Sequence, residues 1–338
     1  MPHYRVKGEP TVEDAVEAVK VASDSNCDSV LSIGGGSSID LGKAVSALIT
    51  NKGDIYDYLE VVGKGMAITV PPVPFIALPT TSGTGSEVTK NAVLKSVKHG
   101  RKVSIRHDWL VPSAAIIDPT LTLTCPPTLT AHVGLDTLCQ VIEPYTSNAA
   151  NPIVDALAKE GIVRAARSLR TVVANGQDIQ AREDLSIASV LGGLSLANAK
   201  LGVVHGFASV LGGMYETAPH GAICAALLPH AFKMNVEKLI KKQVDGDKDA
   251  TVRLARFTDV ARLCTGNANA SALDGVKWLA ALNNDLNIPS LMVLCKGMKI
   301  DDIPTIVKGN VILILILILI LILILILIRY SRGIIHKG

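Results

Sequence analysis

The sequence predicts an α/β fold with an open parallel sheet in its first part and an all-α domain in its second part. Up to about residue 125, short apolar strand-like runs alternate with glycine- or hydroxyl-rich loops and helical patterns. From Pro126 onward, only helical periodicity continues. The length of 338 residues also suits two hydrophobic cores rather than one.

Composition and charge agree with a folded, layered protein. Apolar residues make up 49% of the chain and aromatic residues only 4%, so we expect a core of Ala, Val, Leu and Ile. The 33 basic and 30 acidic residues are interspersed without a basic stripe, and nucleic acid is therefore not an expected partner. The six cysteines lack C-x-x-C spacing, which favours a reducing compartment. The start, MPHYRVKGEP, shows no secretory signal and no Arg-rich leader, so we expect a cytoplasmic protein, with a mitochondrial one as the alternative.

The elements of the first part can be predicted in order. Apolar residues at helical spacing follow Thr11, a predicted N-cap with Asp14 three residues on. The segment SVLSIGGGSSIDLGKAVSALI, which begins at Ser29, then predicts a strand, a tight glycine loop and a helix. FIALP predicts a second buried strand, and AAIID predicts a third strand that ends at Asp118. This alternation indicates a parallel sheet with covering helices.

The second part is predicted to be helical. Four segments have helical patterns: Leu129–Tyr145, Asn151–Ala174, Gln180–Leu201 and Ala222–Val236. A strict Ile-Leu alternation then fills residues 311–328, and its length alone would suit a membrane span. A strict two-residue repeat is more typical of low-complexity sequence, so membrane association is not expected apart from this run. The predicted division is residues 1–125, residues 126–310, the run at 311–328 and a tail at 329–338.

Two loops are candidates for binding phosphate. Gly34, Gly35, Gly36 and Ser37 lie between a strand and a helix, where bare backbone N–H groups and the helix N-terminus favour a negative charge. Such a sequence also forms ordinary tight turns, and its spacing is not G-x-G-x-x-G. The loop PTTSGTGSEVT, residues 79–89, adds hydroxyl donors after the next strand. Because ligands bind at the carboxyl ends of parallel strands, we expect both loops to face one crevice.

Four side chains of the second part are candidates for a metal site. Asp136 and Gln140 are four residues apart on one helix, which places them on the same face. His205 and His220 are each followed by glycine. Imidazole and carboxylate groups suit iron or zinc, although isolated histidines of this kind are also found as capping or hydrogen-bonded polar residues.

Taken in order, the motifs resemble those of the iron-containing (group III) alcohol dehydrogenases of the dehydroquinate synthase-like superfamily. The resemblance covers about residues 9–308 and rests on GGGSSID, PTTSGTGSEVT, IIDP, GLDTLCQVIEPY, VVHG and PHG. It implies a Rossmann-like dinucleotide-binding domain, a helical domain, and a cleft between them for metal and substrate. The family's first strand, helix and second strand have no counterpart here, so the resemblance implies a sheet that is incomplete at its N-terminus.

The resemblance also implies roles for individual residues. NAD or NADP would be bound by Gly34, Gly35, Gly36, Ser37, Asp40, Thr80, Thr81, Thr84 and Lys102, with Lys102 near the nicotinamide ribose. Asp136, His205 and His220 would be the catalytic metal ligands. The fourth ligand position, usually histidine, is Gln140, and a neutral amide there predicts altered metal affinity or preference. Ser209 replaces a second histidine that often relays protons.

The function implied is NAD(P)-dependent hydride transfer between a small alcohol and its aldehyde or ketone, assisted by a divalent metal such as iron or zinc. A maleylacetate reductase-like enzyme that works without metal is one alternative. Another is an inactive fragment of the family, even a membrane-tethered one. Relatives of this kind commonly self-associate, so a homo-oligomer is expected.

Overall fold

The structure is a computed structural model that describes residues 2–215 and 217–309. Its strands are β1 (Val30–Gly34), β2 (Phe75–Pro79), β3 (Asn91–Ser96), β4 (Arg101–Arg106) and β5 (Ala114–Ala115). Its helices before residue 125 are α1 (Val12–Asp24), α2 (Gly36–Thr50) and α3 (Ile55–Tyr58). The later helices are α4 (Pro127–Thr146), α5 (Pro152–Ala174), α6 (Ile179–Ala199), α7 (Val203–Met214), α8 (His220–Val244), α9 (Lys248–Thr265), α10 (Ala272–Asp285), α11 (Leu291–Leu294) and α12 (Ile303–Gly309).

The first helix begins as its sequence predicts. The Thr11 hydroxyl accepts a hydrogen bond from the Asp14 backbone N–H at 2.9 Å, and the Asp14 carboxylate accepts one from the Thr11 N–H at 2.8 Å. This reciprocal capping box satisfies two N–H groups that a helix end otherwise leaves unpaired. The buried face of α1 then packs on α2.

The sheet is parallel, with strand order β1-β2-β5, and this confirms the predicted α/β class. The third strand is shorter than predicted. It stops at Ala115, and the Asp118 side chain accepts from the Thr120 N–H at 2.9 Å and so starts a 3₁₀ turn at Pro119. Leu31 and Ile33 of β1 remain 48% and 60% exposed, so one face of this strand is not covered by the described residues.

An antiparallel hairpin of β3 and β4 was not predicted. Its strands alternate buried and less buried residues, with Ala92 and Leu94 of β3 packed in the same core as Val103 and Ile105 of β4. This two-residue periodicity is clear in β4, where Ser104 separates Val103 from Ile105, but in β3 the apolar Val93 between Ala92 and Leu94 obscures it. The hairpin brings Lys102 of β4 towards α7.

The second part is helical, as predicted. Helices α4, α5 and α6 pack against one another and share a core with α7–α12. The predicted helix at Gln180–Leu201 ends at Ala199, because Lys200 adopts a left-handed φ of 62°. The helix predicted at Ala222–Val236 is longer at both ends. The exact division at residues 125 and 126 stays a prediction, and the Ile-Leu run and the tail lie outside the described residues.

Among the described residues, no single helix has both the length and the apolar character needed to cross a membrane. One bent pair, α6 with α7, meets that test on length and composition only, and its two helices are inclined by 100°.

Candidate metal and cofactor site

The two predicted phosphate-binding loops lie side by side at the carboxyl ends of β1 and β2. The Thr80 N–H donates to the Gly34 carbonyl oxygen at 2.9 Å. A Cβ added at Gly35 would lie 3.1 Å from Thr81 Oγ1, and one added at Gly36 would lie 2.5 Å from Thr84 Oγ1. Glycine is therefore required at Gly36 for the close approach of the loops, and both loops border the edge where parallel sheets bind nucleotides. Ser37 follows in the first turn of α2.

Asp40 and Lys43, both on α2, anchor the second loop, residues 79–89. The Asp40 carboxylate accepts a hydrogen bond from Ser86 and lies 3.6 Å from Lys43 Nζ. The buried Lys43 ammonium donates to Ser86 Oγ, Thr89 Oγ1 and the Asn91 carbonyl at 2.8–3.0 Å. Burial raises the pKa of Asp40 and lowers that of Lys43, and each partner opposes the shift of the other. Asp40, predicted from the family resemblance to bind cofactor, thus has protein partners and positions the second loop.

The second loop also docks on α4. Thr137 Oγ1 donates to the backbone carbonyls of Ser82 at 3.0 Å and Gly83 at 3.2 Å. Gln140 Nε2 donates to the Thr84 carbonyl at 2.8 Å. Gln140 is one helical turn after Asp136 on α4. The helix therefore holds the loop that borders Gly35 and Gly36 close to Asp136.

Three of the four predicted metal ligands converge from three helices. Asp136 of α4, His205 of α7 and His220 of α8 place ligand atoms within 4.8 Å of one another, together with Cys224 of α8. Asp136 Oδ1 and His205 Nε2 are 3.3 Å apart. Asp136 and His205 are only 2% and 8% exposed. The structure therefore brings together residues that are separated by as many as 88 positions (136 to 224).

The donor atoms of this cluster lack hydrogen-bond partners. Asp136 Oδ1, His205 Nε2 and His220 Nδ1 are buried, and none of them has a hydrogen-bond partner within the described residues. A buried polar atom without a partner is unfavourable by about 1–3 kcal/mol, so three in one place call for an explanation. A divalent metal would satisfy them, because carboxylate and imidazole are suitable ligands for it. The residues present thus fit a metal ion.

Glu143, which the sequence analysis did not identify, orients His205. Its Oε2 lies 2.7 Å from His205 Nδ1, and its two oxygens also accept from the backbone N–H groups of Val204 at 2.7 Å and His205 at 3.3 Å. The carboxylate therefore caps the N-terminus of α7 and leaves His205 Nε2 directed towards Asp136. The signal in the sequence is its spacing, seven residues after Asp136 on the same helix.

Burial and the charges of the cluster shift the pKa values of its own side chains. Burial alone would raise the pKa of Asp136, but His205 and His220 beside it lower this pKa to about 2. Burial opposes protonation of His205, yet Cys224, Asp136 and Glu143 together raise its pKa. For His220, burial outweighs the attraction of Asp136 and lowers the pKa to about 4. A cation that replaces the proton of His205 would be attracted by the same two carboxylates, those of Asp136 and Glu143.

Lys102 borders the cluster from the hairpin. Its Nζ pairs with Glu9 Oε1 at 2.5 Å, and a Cβ on Gly212 of α7 would lie 3.4 Å from its Cε. The Lys102 charge also contributes to the lowered pKa of His220. Ser209, one turn after His205 on α7, is exposed.

Comparisons with known proteins agree with this arrangement. The family model described as iron-containing alcohol dehydrogenase matches residues 3–119, and the model for the C-terminal part of the same family matches residues 130–312. The chain is 36% identical to a 1,3-propanediol dehydrogenase of Citrobacter freundii over 84% of its own length and 70% of that protein. It is 32% identical to an NAD-dependent methanol dehydrogenase of Bacillus methanolicus over 90% of its length and 76% of that protein.

Solved structures support the same assignment. A crystal structure of a 1,3-propanediol oxidoreductase matches with a TM-score of 0.80 and 35% identity, covering 90% of this chain and 76% of that one. The alcohol dehydrogenase from Oenococcus oeni also gives a TM-score of 0.80, at 33% identity and with coverage of 91% and 76%. From the two family models and these relatives, the chain belongs to the iron-containing alcohol dehydrogenase family.

Proposed function

We propose that this chain is an NAD(P)-dependent oxidoreductase that interconverts a small alcohol and its aldehyde or ketone, with a divalent metal at Asp136, His205 and His220. One observation carries the proposal. Buried ligand atoms without partners converge at Asp136 of α4, the same helix that fixes the threonine-rich loop through Thr137 and Gln140. A dinucleotide on that loop and a metal at the cluster would therefore be held by one rigid element.

The loops account for cofactor binding. The N-terminus of α2, with Gly35 as N-cap and Gly36 as first residue, suits a diphosphate, because backbone N–H groups and the helix dipole are directed at the anion. The hydroxyls of Thr81 and Thr84 lie against these glycines and can donate to the same phosphates or to a ribose. Lys102 adds a positive charge on the side of His220, and this supports its predicted role near the nicotinamide ribose.

The cluster accounts for the chemistry at the substrate oxygen. A divalent metal bound there supplies Lewis-acid polarisation of the alcohol or carbonyl oxygen. Glu143 holds His205 in the tautomer and orientation that direct Nε2 towards Asp136. The low exposure of Asp136 and His205 keeps water away from these charges and so strengthens their effect.

The relatives support an alcohol as the substrate but do not indicate its chain length. Their printed names include dehydrogenases of 1,3-propanediol, of methanol and of long-chain alcohols. The partnerless donors favour this metal-assisted reaction over the metal-free, maleylacetate reductase-like alternative.

Turnover by the full chain tests the proposal. The protein would be treated with chelator, reloaded with Fe²⁺ or Zn²⁺, and assayed for NAD(P)H formation with methanol, 1,3-propanediol and longer alcohols. We expect activity that depends on metal and is lost in His205→Ala, whereas His99→Ala, outside the cluster, retains it. Metal-loaded protein that binds NAD(H) or NADP(H) by calorimetry but oxidises none of these alcohols would contradict the proposal. Absence of any dinucleotide binding would instead favour an inactive fragment.

A further inference from the structure

Cys224 lies within the metal cluster, although nothing in the sequence motif predicts a thiol there. It follows His220 by four residues on α8, so both side chains project from one helix face. Its Sγ is 3.8 Å from His220 Nε2, and it shares the 4.8 Å cluster with Asp136 and His205. The residue is fully buried.

The spacing of the cluster is close to that of a coordination shell. Metal–ligand distances of about 2.0 Å for nitrogen or oxygen and about 2.3 Å for sulfur give tetrahedral ligand–ligand edges of roughly 3.3–3.6 Å. The His205 Nε2 to Asp136 Oδ1 distance of 3.3 Å already has this length, and one ligand atom each of His220 and Cys224 lies within 4.8 Å of these two atoms. The longer separations need a movement of about one ångström to close on an ion.

The other candidates for the fourth position are less suitable ligands. Gln140 donates through Nε2 to the Thr84 carbonyl at 2.8 Å, and the one metal-binding atom it has, Oε1, is a neutral amide oxygen and a poorer ligand than a thiolate for a borderline-soft ion. Cys139 lies 3.8 Å from His205 Nδ1, the ring nitrogen already bound to Glu143. Since Nε2 is the nitrogen directed at Asp136, Cys139 is on the wrong side of the ring to share an ion with it.

We propose that Cys224, as a thiolate, is the fourth protein ligand of the metal and takes the role that the family gives to a histidine at the position of Gln140. This inference rests on the proposed metal site. On binding, the Cys224 S–H bond is broken, its proton passes to solvent, and the sulfur electron pair is donated to the ion. A sulfur ligand beside two imidazoles and one carboxylate favours a borderline-soft ion such as Zn²⁺ over harder divalent ions.

Cobalt spectroscopy of the full chain tests this ligand directly. Chelator-treated protein would be titrated with Co²⁺, which reports metal binding through its visible d–d bands and sulfur ligation through a thiolate-to-cobalt charge-transfer band in the near ultraviolet. We expect one equivalent of Co²⁺ to give both signals. Cys224→Ser should lose the charge-transfer band and weaken Zn²⁺ binding at least about tenfold. Cys139→Ser, equally buried and also beside His205, should retain the band.

The outcomes separate this inference from the proposed function. Visible cobalt bands without a charge-transfer band, or a charge-transfer band that survives in Cys224→Ser, would overturn the role of Cys224 and leave the metal-assisted function standing. No Co²⁺ or Zn²⁺ binding by the wild-type protein would overturn both. Should Cys224→Ser fold poorly, Cys224→Ala replaces it on a helix already rich in alanine. X-ray absorption at the zinc edge of the unaltered, Zn²⁺-loaded chain gives a second measurement, and a first coordination shell without sulfur would refute the inference.

Discussion

Replacement of Glu143 by glutamine tests whether the Glu143 carboxylate holds His205 in the orientation needed to bind a metal. The two oxygens of Glu143 accept three hydrogen bonds, from the Val204 N–H at 2.7 Å, the His205 N–H at 3.3 Å and His205 Nδ1 at 2.7 Å. Glutamine keeps the volume but turns one oxygen into a donor. If that donor faces Val204, the first turn of α7 loses its acceptor. If it faces His205, the ring must carry its proton on Nε2, where the metal would bind.

Either orientation has a measurable effect. A buried donor left without an acceptor costs about 1–3 kcal/mol, so the free energy of unfolding of metal-free Glu143→Gln, measured in urea, should fall by that amount. Loss of the group that orients a metal-binding histidine should weaken Zn²⁺ affinity by about 10–100-fold, measured by competition with a chromophoric chelator. Glu237→Gln on α8 is the matched control, because Glu237 pairs with Lys233 on the surface and its loss should change stability by no more than about 0.5 kcal/mol. Unchanged Zn²⁺ affinity together with an unchanged urea midpoint in Glu143→Gln would refute the reasoning.

Two further substitutions test the cofactor loop and the helical core. Gly36→Ala places a Cβ 2.5 Å from Thr84 Oγ1 and should weaken NAD(H) binding, measured by calorimetry, by about tenfold or more. The control Gly8→Ala, whose added Cβ meets nothing within 4 Å, should leave the affinity for NAD(H) unchanged. Equal affinities of the two variants would contradict the close approach of the two loops. Asp184 is buried, and although burial alone would raise its pKa, hydrogen bonds from Arg167 and Ser168 and the charges of Arg167 and Arg164 lower it. Because its pKa in the folded state lies below the unfolded value of about 3.9, its contribution is present above that value and is lost as the pH falls through the folded-state pKa. The urea midpoint of the wild type should therefore exceed that of Asp184→Asn at neutral pH, and this difference should shrink in acid; a difference independent of pH would disprove the role of the ion pairs.

The local elements follow from the sequence because their signals are local. Thr11 and Asp14 specify the start of α1 through hydrogen bonds within four residues. The bounds of β2 match the buried run FIALP, since a short apolar segment between loop residues suits few structures other than a buried strand. The hairpin of β3 and β4 was not predicted, because the apolar Val93 interrupts the alternation in β3 and the pairing of the two strands is a contact between separate segments.

In the candidate site, too, some features could be predicted from the sequence and others depend on the tertiary structure. The motifs placed Gly35, Gly36, Asp136, His205 and His220 among its residues, and the match in order and spacing identified the family. The predicted contact of Asp40 with cofactor stays a prediction, and the structure adds that its carboxylate is bonded to Ser86 and paired with Lys43. Whether a side chain faces a ligand or the protein interior depends on neighbours that are distant in the sequence.

By itself, the sequence determined the α/β and all-α character of the two parts, the glycine- and hydroxyl-rich loops after the first two strands and the family, because these depend on periodicity and on motifs within short segments. Only the tertiary structure decided which atoms meet. It placed Glu143 of α4 against His205 of α7, and it placed Cys224 of α8 beside Asp136 of α4. The physical reason is that helix packing sets distances between side chains, and a shift of one residue along a helix turns a side chain by about 100° and removes it from the site.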